Sequence, residues 1–375
     1  MKKVVIAIDS FKGCLPSVEA GKAAAEGIRS VYPECEVICL PIADGGEGML
    51  DVLIMATNGQ EVPISAHDPL MRWRNTYYGI SENGETAFIE MASISGLPLV
   101  PPERRNPMLT TTYGTGEIIR DALERGCRNF IIGIGGSATN DAGLGMLQAL
   151  GFRFSDKEGK KVGTGCGEVL IKVAHIDSTF VHPALNSCRF TVACDVQNPF
   201  YGPEGAAYVF APQKGADREM VEALDAGLQN FAEVIRHTTG KDISHHPGAG
   251  AAGGMGGSLL AFLNAELKPG IQLMLEALDF SNKIKSADLI ITGEGKADRQ
   301  TLMGKVPSGI LAEARKQNIP VILLAGNIED SDELQQAGFE GVFSVNPPFI
   351  SLEEAMRPEV ACKNIQQTVE SICKK

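Results

Sequence analysis

The sequence lacks long hydrophobic runs, an excess of positive charge and paired cysteine motifs. No stretch of its 375 residues approaches the ~20 apolar residues that a membrane-spanning helix needs. Its formal net charge of −12 argues against nucleic acid or an anionic membrane as a partner, because both require clustered lysine and arginine. Nine cysteines occur without a Cys-x-x-Cys spacing, which is typical of reduced thiols. We therefore expect a cytoplasmic globular protein with neither partner.

Three catalytic signatures are also absent from the sequence. There is no Walker A loop, no Gly-x-Ser-x-Gly elbow and no His-Glu-x-x-His or Cys–His metal spacing. These absences disfavour a P-loop nucleotide site, an α/β-hydrolase and a zinc enzyme.

Six short apolar segments, each ending in a polar or glycine-rich turn, dominate what is present. They cover residues 4–10, 37–48, 130–137, 190–198, 289–298 and 321–330. Strands that are hydrophobic throughout are typical of parallel sheets buried on both faces. Helical patterns lie between them, for example at 17–31 and 217–238. The pattern predicts an α/β protein of two α/β domains, with mostly parallel sheets flanked by helices.

Residues 61–92 break this pattern, because apolar and polar residues alternate there and the Asn-Gly pair in ENGE is a hairpin signal. We therefore expect an antiparallel hairpin element. The simplest division places residues 1–60 and 287–375 in a Rossmann-like α/β domain. Residues 61–286 then form an inserted α/β domain that carries the hairpin and the glycine-rich loops.

Carboxylates collect where the predicted strands end. The six are Asp9, Asp44, Asp141, Asp195, Glu294 and Asp298. Open parallel sheets bind ligands at the carboxyl ends of their strands. Like charges gathered there repel each other unless a cation or a phosphate-bound metal offsets them. Taken alone, any one of these side chains is better explained by a solvated turn, but the set favours a binding site.

The loop FIIGIGGSATNDAG (130–143) allows three interpretations. GIGGSA (133–138) satisfies the G-x-G-x-x-A form of the dinucleotide fingerprint, although the polar TNDAG follows where that fingerprint needs a helix. The backbone amides, with the Ser137 and Thr139 hydroxyls, could instead face an anion. A capped helix start is the third interpretation. A second loop, GAGAAGGMGG (248–257), offers similar backbone donors, and the pattern does not rank the two.

Residues 293–309 combine carboxylates with cations in a glycine-rich turn. They include Glu294, Lys296, Asp298, Arg299, Thr301 and Lys305. Such a set suits phosphoryl transfer, where metal and lysine offset the charge of the moving group. A surface ion-pair cluster would have the same composition.

Six segments together resemble the class I glycerate kinases of bacteria. They are AIDSFKG (7–13), PIADGGEGM (41–49), GIGGSATNDAG (133–143), CDVQNPFYGPEGAAYVFAPQKGA (194–216), GAGAAGGMGG (248–257) and TGEGKADRQTLMGKVP (292–307). The resemblance implies an ATP-dependent kinase of D-glycerate with an interdomain active site. It implies 2-phosphoglycerate and ADP as products, with phosphorylation of the 3-hydroxyl as the alternative. The resemblance also implies Mg²⁺ as a cofactor and only small molecules, D-glycerate and ATP, as partners. The protein would be a monomer or a homodimer.

Under that hypothesis, each predicted residue has a role. The catalytic set is Asp195 as the favoured base, Asp44 as the second choice, and Lys12. The candidates for glycerate binding are Ser10, Lys12, Arg104, Arg105 and Lys214. Those for the nucleotide are Gly135, Gly136, Ser137, Ala138, Thr139, Asn140, Gly253 and Gly254. Those for the metal are Asp9, Glu294 and Asp298.

Two other classes compete with a kinase. An NAD(P)-dependent hydroxy-acid oxidoreductase could use the GIGGSA loop. A two-lobed binding protein without catalysis is the other, and the strand-end carboxylates count against it.

Overall fold

The computed structural model describes residues 1–44 and 48–374. The chain forms two compact units, Met1–Asp44 with Ile271–Lys375 and Gly45–Gly270. The turn predicted at the end of segment 37–48 falls partly on residues 45–47, which lie outside the described residues. No helix of the described ranges is long and apolar enough to cross a membrane.

The strands of the described residues are short, and most are apolar. They are β1 (Lys3–Ile8), β2 (Glu36–Cys39), β3 (Gln60–His67), β4 (Trp73–Ile80), β5 (Thr86–Glu90), β6 (Asn129–Gly133), β7 (Arg153–Ser155), β8 (His175–Asp177), β9 (Arg189–Ala193), β10 (Glu266–Lys268), β11 (Leu289–Ala297), β12 (Val321–Ile328) and β13 (Gly341–Ser344).

The helices range from one turn to six. They are α1 (Ser17–Val31), α2 (Met49–Ala56), α3 (Ala92–Ser95), α4 (Tyr113–Glu124), α5 (Leu144–Ala149), α6 (Ala206–Phe210), α7 (Arg218–Thr239), α8 (Met255–Phe262), α9 (Gly270–Ala277), α10 (Phe280–Lys283), α11 (Val306–Lys316), α12 (Ser331–Gln336), α13 (Leu352–Ala355) and α14 (Pro358–Cys373).

The first unit is built on a five-stranded parallel sheet of order β13-β12-β11-β1-β2. Helices α1 and α14 pack against each other over one part of its core. Gly27 of α1 permits this approach, because a Cβ atom there would lie 2.5 Å from the carbonyl oxygen of Gln366. The parallel order aligns the carboxyl ends of β1, β11, β12 and β13 at one edge of the sheet.

The second unit contains a mixed six-stranded sheet of order β10-β9-β6-β5-β4-β3. Strands β10, β9, β6 and β5 are parallel, while β4 pairs antiparallel with both β3 and β5. The turn between β4 and β5 contains the Asn83-Gly84 pair of the predicted hairpin signal. Phe130 and Phe190 stack across neighbouring strands with ring centroids 4.6 Å apart. The predicted α/β class, with mostly parallel sheets flanked by helices, is confirmed.

The compact units do not divide at the predicted residues. The prediction placed residues 45–60 with the first unit and 271–286 with the second, and the structure groups each segment the other way. Helix α2 packs on β4 and β5, where a Cβ atom at Gly79 would lie 2.5 Å from the Ile54 side chain. In the first unit, a Cβ atom at Gly309 would lie 2.3 Å from Ile271. The sequence pattern identifies such a helix but not the sheet against which it packs.

Candidate active site

A cavity of about 340 Å³ lies at the carboxyl ends of β1, β11, β12 and β13 in the first unit. This is where an open parallel sheet binds ligands. Six charged residues contribute to its lining, namely Asp9, Asp44, Glu294, Lys12, Lys296 and Lys305. Apolar lining residues come from the segment between β1 and α1, from the residue that follows β13, and from α13 and the residue after it. They include Phe11, Val345, Leu352 and Met356. The pocket therefore offers both ionic and apolar contacts.

The carboxylate of Asp9 is the most perturbed acid of this pocket. Asp9 follows β1, is 6% exposed, and accepts a hydrogen bond of 2.7 Å from the Ser10 amide. Burial, together with the negative charges of Asp44 and Glu294, raises the pKa of Asp9 to about 7, against the hydrogen bond from the Ser10 amide and the charge of Lys12. A carboxylate with such a pKa can accept a proton near neutral pH.

Glu294 lies near the end of β11 and is also almost fully buried. Burial raises the pKa of its carboxyl group, while Thr301 and Lys305 oppose that shift. Lys305 Nζ is 3.6 Å from Oε2, and Oε1 has no hydrogen-bond partner in the part of the chain that the structure describes. This oxygen is free to accept a donor or to ligate a cation.

The lysines of the pocket are held loosely. Lys12 Nζ lies 3.6 Å from Asp44 Oδ2, and the Lys12 side chain is largely exposed. Lys296 Nζ lies 3.4 Å from Asp298 Oδ2 and 3.0 Å from Glu329. Most of these distances exceed that of a short charge-assisted hydrogen bond, so an incoming anion can compete for the lysines.

Asp298 has a structural role at the start of a short 3-10 helix, Arg299–Leu302. Its Oδ1 accepts from the Gln300 amide at 2.8 Å, and its own amide donates to Thr301 Oγ1 at 2.9 Å. Partial burial raises the pKa of Asp298, but the hydrogen bonds from the Gln300 amide and from Lys296 hold this pKa below its usual range. The carboxylate therefore stays ionised beside the pocket.

The three predicted metal ligands do not form a ready-made cage. Within residues 1–44 and 48–374, no three or more His, Cys, Asp and Glu side chains are arranged to hold a metal ion. Mg²⁺ needs fewer protein ligands, because it binds through one or two carboxylates together with water and substrate phosphates. The unpaired oxygen of Glu294 fits an ion that arrives with a phosphorylated reactant.

The glycine-rich loop of the second unit follows β6 as an exposed turn. Gly135 and Gly136 are exposed, and Gly136 has a φ of +71°. Leu97 donates to the Gly136 carbonyl at 2.8 Å, and the Ala138 amide donates to Ser95 at 2.9 Å. Helix α5 begins only at Leu144, so GIGGSA does not open directly into a helix as the dinucleotide fingerprint requires. This geometry disfavours the oxidoreductase interpretation.

Asp141 belongs to the scaffold of this loop. It is fully buried and accepts hydrogen bonds from the amides of Thr112, Gly143 and Gly145 and from the Thr112 hydroxyl. Burial raises the pKa of its carboxyl group, and these donors oppose the shift. Its oxygens are thus engaged in joining the loop to the segment that precedes α4.

The two residues before Asp141, Thr139 and Asn140, are buried, and some of their polar side-chain atoms make no hydrogen bond to the described residues. Thr139 Oγ1 and both terminal atoms of the Asn140 side chain have no hydrogen-bond partner among the described residues. The structure also brings the predicted Lys214 to this loop, where Nζ donates to Ser137 Oγ and to the Thr139 carbonyl, each at 2.7 Å.

The second glycine-rich loop packs directly against the first. A Cβ atom at Gly253 would lie 2.1 Å from the Thr139 carbonyl oxygen, and one at Gly254 would lie 2.9 Å from Leu228. Both glycines have positive φ, and the Gly253 carbonyl accepts from the Ala142 amide at 3.0 Å. Close packing thus explains these two glycines without the phosphate contact that the sequence predicts for them.

Three other predicted residues also belong to the second unit. Asp195 is exposed after β9, and its Oδ1 accepts from the Gly270 amide at 2.8 Å, at the start of α9. Arg104 is exposed in a short turn. The Arg105 guanidinium donates to the Val100 carbonyl at 3.4 Å. Ser10, Lys12 and Asp44 line the pocket of the first unit.

Several pocket residues were not predicted. Asn327 and Asn346 lie at or just after the ends of β12 and β13, so the strand-end rule could have found Asn327. Leu352 and Met356 lie in and just after the one-turn helix α13 and carry no sequence signal of a site.

A parallel α/β sheet with acids and lysines at its strand ends is the arrangement of an enzyme that acts on anionic reactants. The chain belongs to the glycerate kinase family, whose sequence profile matches residues 4–375. It is 46% identical to the glycerate kinase of Bacillus subtilis (strain 168) over 371 residues, which cover 99% of this chain and 96% of that protein.

Two further relatives agree with this membership. The glycerate 2-kinase of Escherichia coli (strain K12) is 47% identical over 356 residues, covering 95% of this chain and 93% of that protein. A crystal structure of a protein assigned as glycerate kinase 2 of Salmonella typhimurium LT2 superposes with a TM-score of 0.91. That protein is 44% identical, and the match covers 100% of this chain and 97% of the other.

Proposed function

We propose that the protein transfers the γ-phosphoryl group of ATP to the 2-hydroxyl of D-glycerate, giving 2-phosphoglycerate and ADP. Membership of a kinase family supports the reaction class, and the similarity to an enzyme named glycerate 2-kinase supports the position. The observation that carries the proposal is the pocket of the first unit, where buried acids and loosely held lysines meet an apolar lining.

The composition of this pocket suits a nucleotide and its phosphates. The apolar side chains of Phe11, Leu352 and Met356 offer surface to a purine and ribose. Lys12 and Lys305 offer positive charge to phosphate oxygens. Phosphoryl transfer requires mainly such positioning and electrostatic stabilisation, because little covalent chemistry falls to the protein.

Within this proposal, Asp9 accepts the proton of the attacked hydroxyl. Its carboxyl group titrates near neutral pH, as a general base should, and it lies beside the lysines that bind the phosphates. As the O–H bond gives up its proton to Asp9, the hydroxyl oxygen bonds to the γ-phosphorus and the bond to the β-phosphate oxygen breaks. Bound Mg²⁺ would neutralise charge on the phosphates, with Glu294 as its protein ligand. Asp195, the base predicted from sequence, remains the alternative.

The experiment is a coupled assay of ADP release with D-glycerate and Mg-ATP. We expect ADP release that depends on D-glycerate, and a product that an enzyme specific for 2-phosphoglycerate consumes. A product recognised only as 3-phosphoglycerate would move the reaction to the other hydroxyl. No ADP release with D-glycerate would overturn the proposed function.

A further inference from the structure

Lys214 is a buried cation behind the turn of the glycine-rich loop. It ends a short 3-10 helix, Pro212–Lys214, and is 2% exposed. Its Nζ donates to Ser137 Oγ and to the Thr139 carbonyl, both at 2.7 Å. Both acceptors are neutral, so these bonds order the loop but do not offset the positive charge.

The charged groups around Lys214 leave that charge unpaired. Asp141 favours the ammonium form through its negative charge, but Lys214 Nζ donates to other acceptors and the Asp141 oxygens accept from other donors. Arg105, whose backbone packs on Gly215, directs its guanidinium to Val100. Burial therefore lowers the pKa of Lys214 to about 7. An unpaired buried charge destabilises a fold, so Lys214 is not explained by stability.

Unused hydrogen-bonding groups lie next to this cation. Thr139 and Asn140 are fully buried, yet Thr139 Oγ1 and both ends of the Asn140 amide have no partner among the described residues. Gly135 and Gly136 form the exposed part of the same turn, and a Cβ atom at Gly135 would meet open space. A buried cation beside unpaired donors and exposed glycine backbone is suited to a carboxylate or phosphate.

We infer that Lys214 is the positioning residue of the turn 134–140: it holds Ser137 and Thr139 so that the turn binds an anionic group of a reactant, and it takes up a proton when that anion binds. The inference rests on the proposed function for its reactants, D-glycerate and ATP. The carboxylate of D-glycerate and a phosphate of ATP share the required chemistry, and the experiment distinguishes them.

The first test replaces Lys214 by an isosteric apolar residue, Lys214→Met, with the exposed Lys172→Met as the matched control. Removal of the unpaired charge should leave Tm unchanged or raise it. The KM of one reactant should rise at least about tenfold, while that of the other changes by less than about twofold. The reactant whose KM rises is the one that the turn binds. Lys172→Met should change neither KM.

The second test measures proton uptake by the wild-type protein. Titration calorimetry with D-glycerate alone, and with ATP alone, is run in buffers of different ionisation enthalpy at a pH about one unit above the pKa of Lys214. Binding of the relevant anion should take up close to one proton in the wild type and none in Lys214→Met. The KM of the reactant that carries this anion should also rise in the wild type as the pH increases above about 7, because Lys214 loses its charge there.

The outcomes that overturn the inference are distinct from those that overturn the kinase function. Unchanged KM values, a parallel rise of both, or no proton uptake by the wild type would each contradict it. If Lys214→Met does not fold, Ser137→Ala is expected to raise the same single KM, and the wild-type titrations stand alone. Calorimetry reports binding without turnover, so failure of the ADP assay leaves this test intact.

Discussion

Glu294 Oε2 and Lys305 Nζ lie 3.6 Å apart in the first unit, while the other oxygen of Glu294 has no hydrogen-bond partner among the described residues. One oxygen thus faces a cation of the protein, and the other is left for a donor or a metal ion. The two oxygens of this one buried carboxylate therefore have different roles.

Replacement of Glu294 by glutamine should weaken the response of the enzyme to Mg²⁺. We expect kcat/KM to fall by about 10²-fold, because one electrostatic stabiliser is lost, and the half-saturating Mg²⁺ concentration to rise. Steady-state rates over a Mg²⁺ titration measure both. Glu329→Gln, which removes an exposed carboxylate that pairs with Lys296, should leave both within about twofold. Equal effects of the two variants would contradict a metal-binding role for Glu294.

The pH dependence of kcat/KM should report the ionisation of the Asp9 carboxyl group. Because its carboxylate must be ionised to accept a proton, kcat/KM should fall as the pH decreases below about 7. Asp9→Asn should lower kcat by about 10²–10⁴-fold and remove this acidic limb. Asp44→Asn removes a negative charge that raises the pKa of Asp9, so it should move the limb to lower pH. An unmoved limb in Asp44→Asn would mean that another group titrates.

The same perturbed group should affect stability in a defined direction. The folded state holds the Asp9 proton more tightly than the unfolded chain does, because burial raises its pKa to about 7. Asp9 therefore contributes stability that is fully present below the unfolded pKa of about 3.9 and is lost as the pH rises towards 7. Denaturation of wild type and Asp9→Asn across that range should show a gap that narrows at low pH, with the variant more stable near neutrality.

Substitution of Asp195 tests directly whether this residue is the base, as the sequence predicts. Its Oδ1 accepts from the Gly270 amide at the start of α9, so we expect a capping role. Asp195→Asn should retain turnover within about tenfold, and Asp195→Ala should lower the free energy of unfolding by about 1 kcal/mol. Rate measurements and chemical denaturation decide between the two roles. A loss of turnover as large as that predicted for Asp9→Asn would restore Asp195 as the base.

The two glycine-rich loops should respond differently to alanine. At Gly253 a Cβ atom would collide with the Thr139 carbonyl in a backbone of φ +67°, so Gly253→Ala should destabilise the fold by about 2–4 kcal/mol. At Gly135 the added Cβ atom meets open space, so Gly135→Ala should keep Tm and affect only the KM of the anion bound there. Thermal unfolding with kinetics on both variants measures the contrast, and a stable Gly253→Ala would refute the packing role.

The α/β class could be predicted because it depends on local patterns. The apolar strands and the Asn-Gly turn each carry their signal within a few residues, and α1 occupies the residues 17–31 that the pattern indicated. The unit boundaries could not be predicted as well, since α2 looks the same whichever sheet it covers. Its placement depends on Ile54 meeting Gly79, a contact between residues that are distant in sequence.

The candidate site shows the same limit. Asp9 and Glu294 were found because they follow apolar strands, and position at a strand end is readable in sequence. Lys214 was selected as a cation, but its burial behind Ser137 depends on the packing of a segment that lies 77 residues further along the chain. Glycines at 253 and 254 look like phosphate-binding residues by composition. Their neighbours in space, which sequence does not reveal, give them a packing role.

The order in which the chain is synthesised gives the first unit an unusual constraint. Strand β1 lies between β2 and β11, and β11 begins only at Leu289. The apolar β1 therefore emerges from the ribosome long before one of its two neighbours exists, whereas the second unit is continuous from Gly45 to Gly270. Because domains generally fold as units during synthesis, we expect the later-starting second unit to fold first. A chain truncated before β11 would leave β1 as an exposed apolar edge, a template for aggregation.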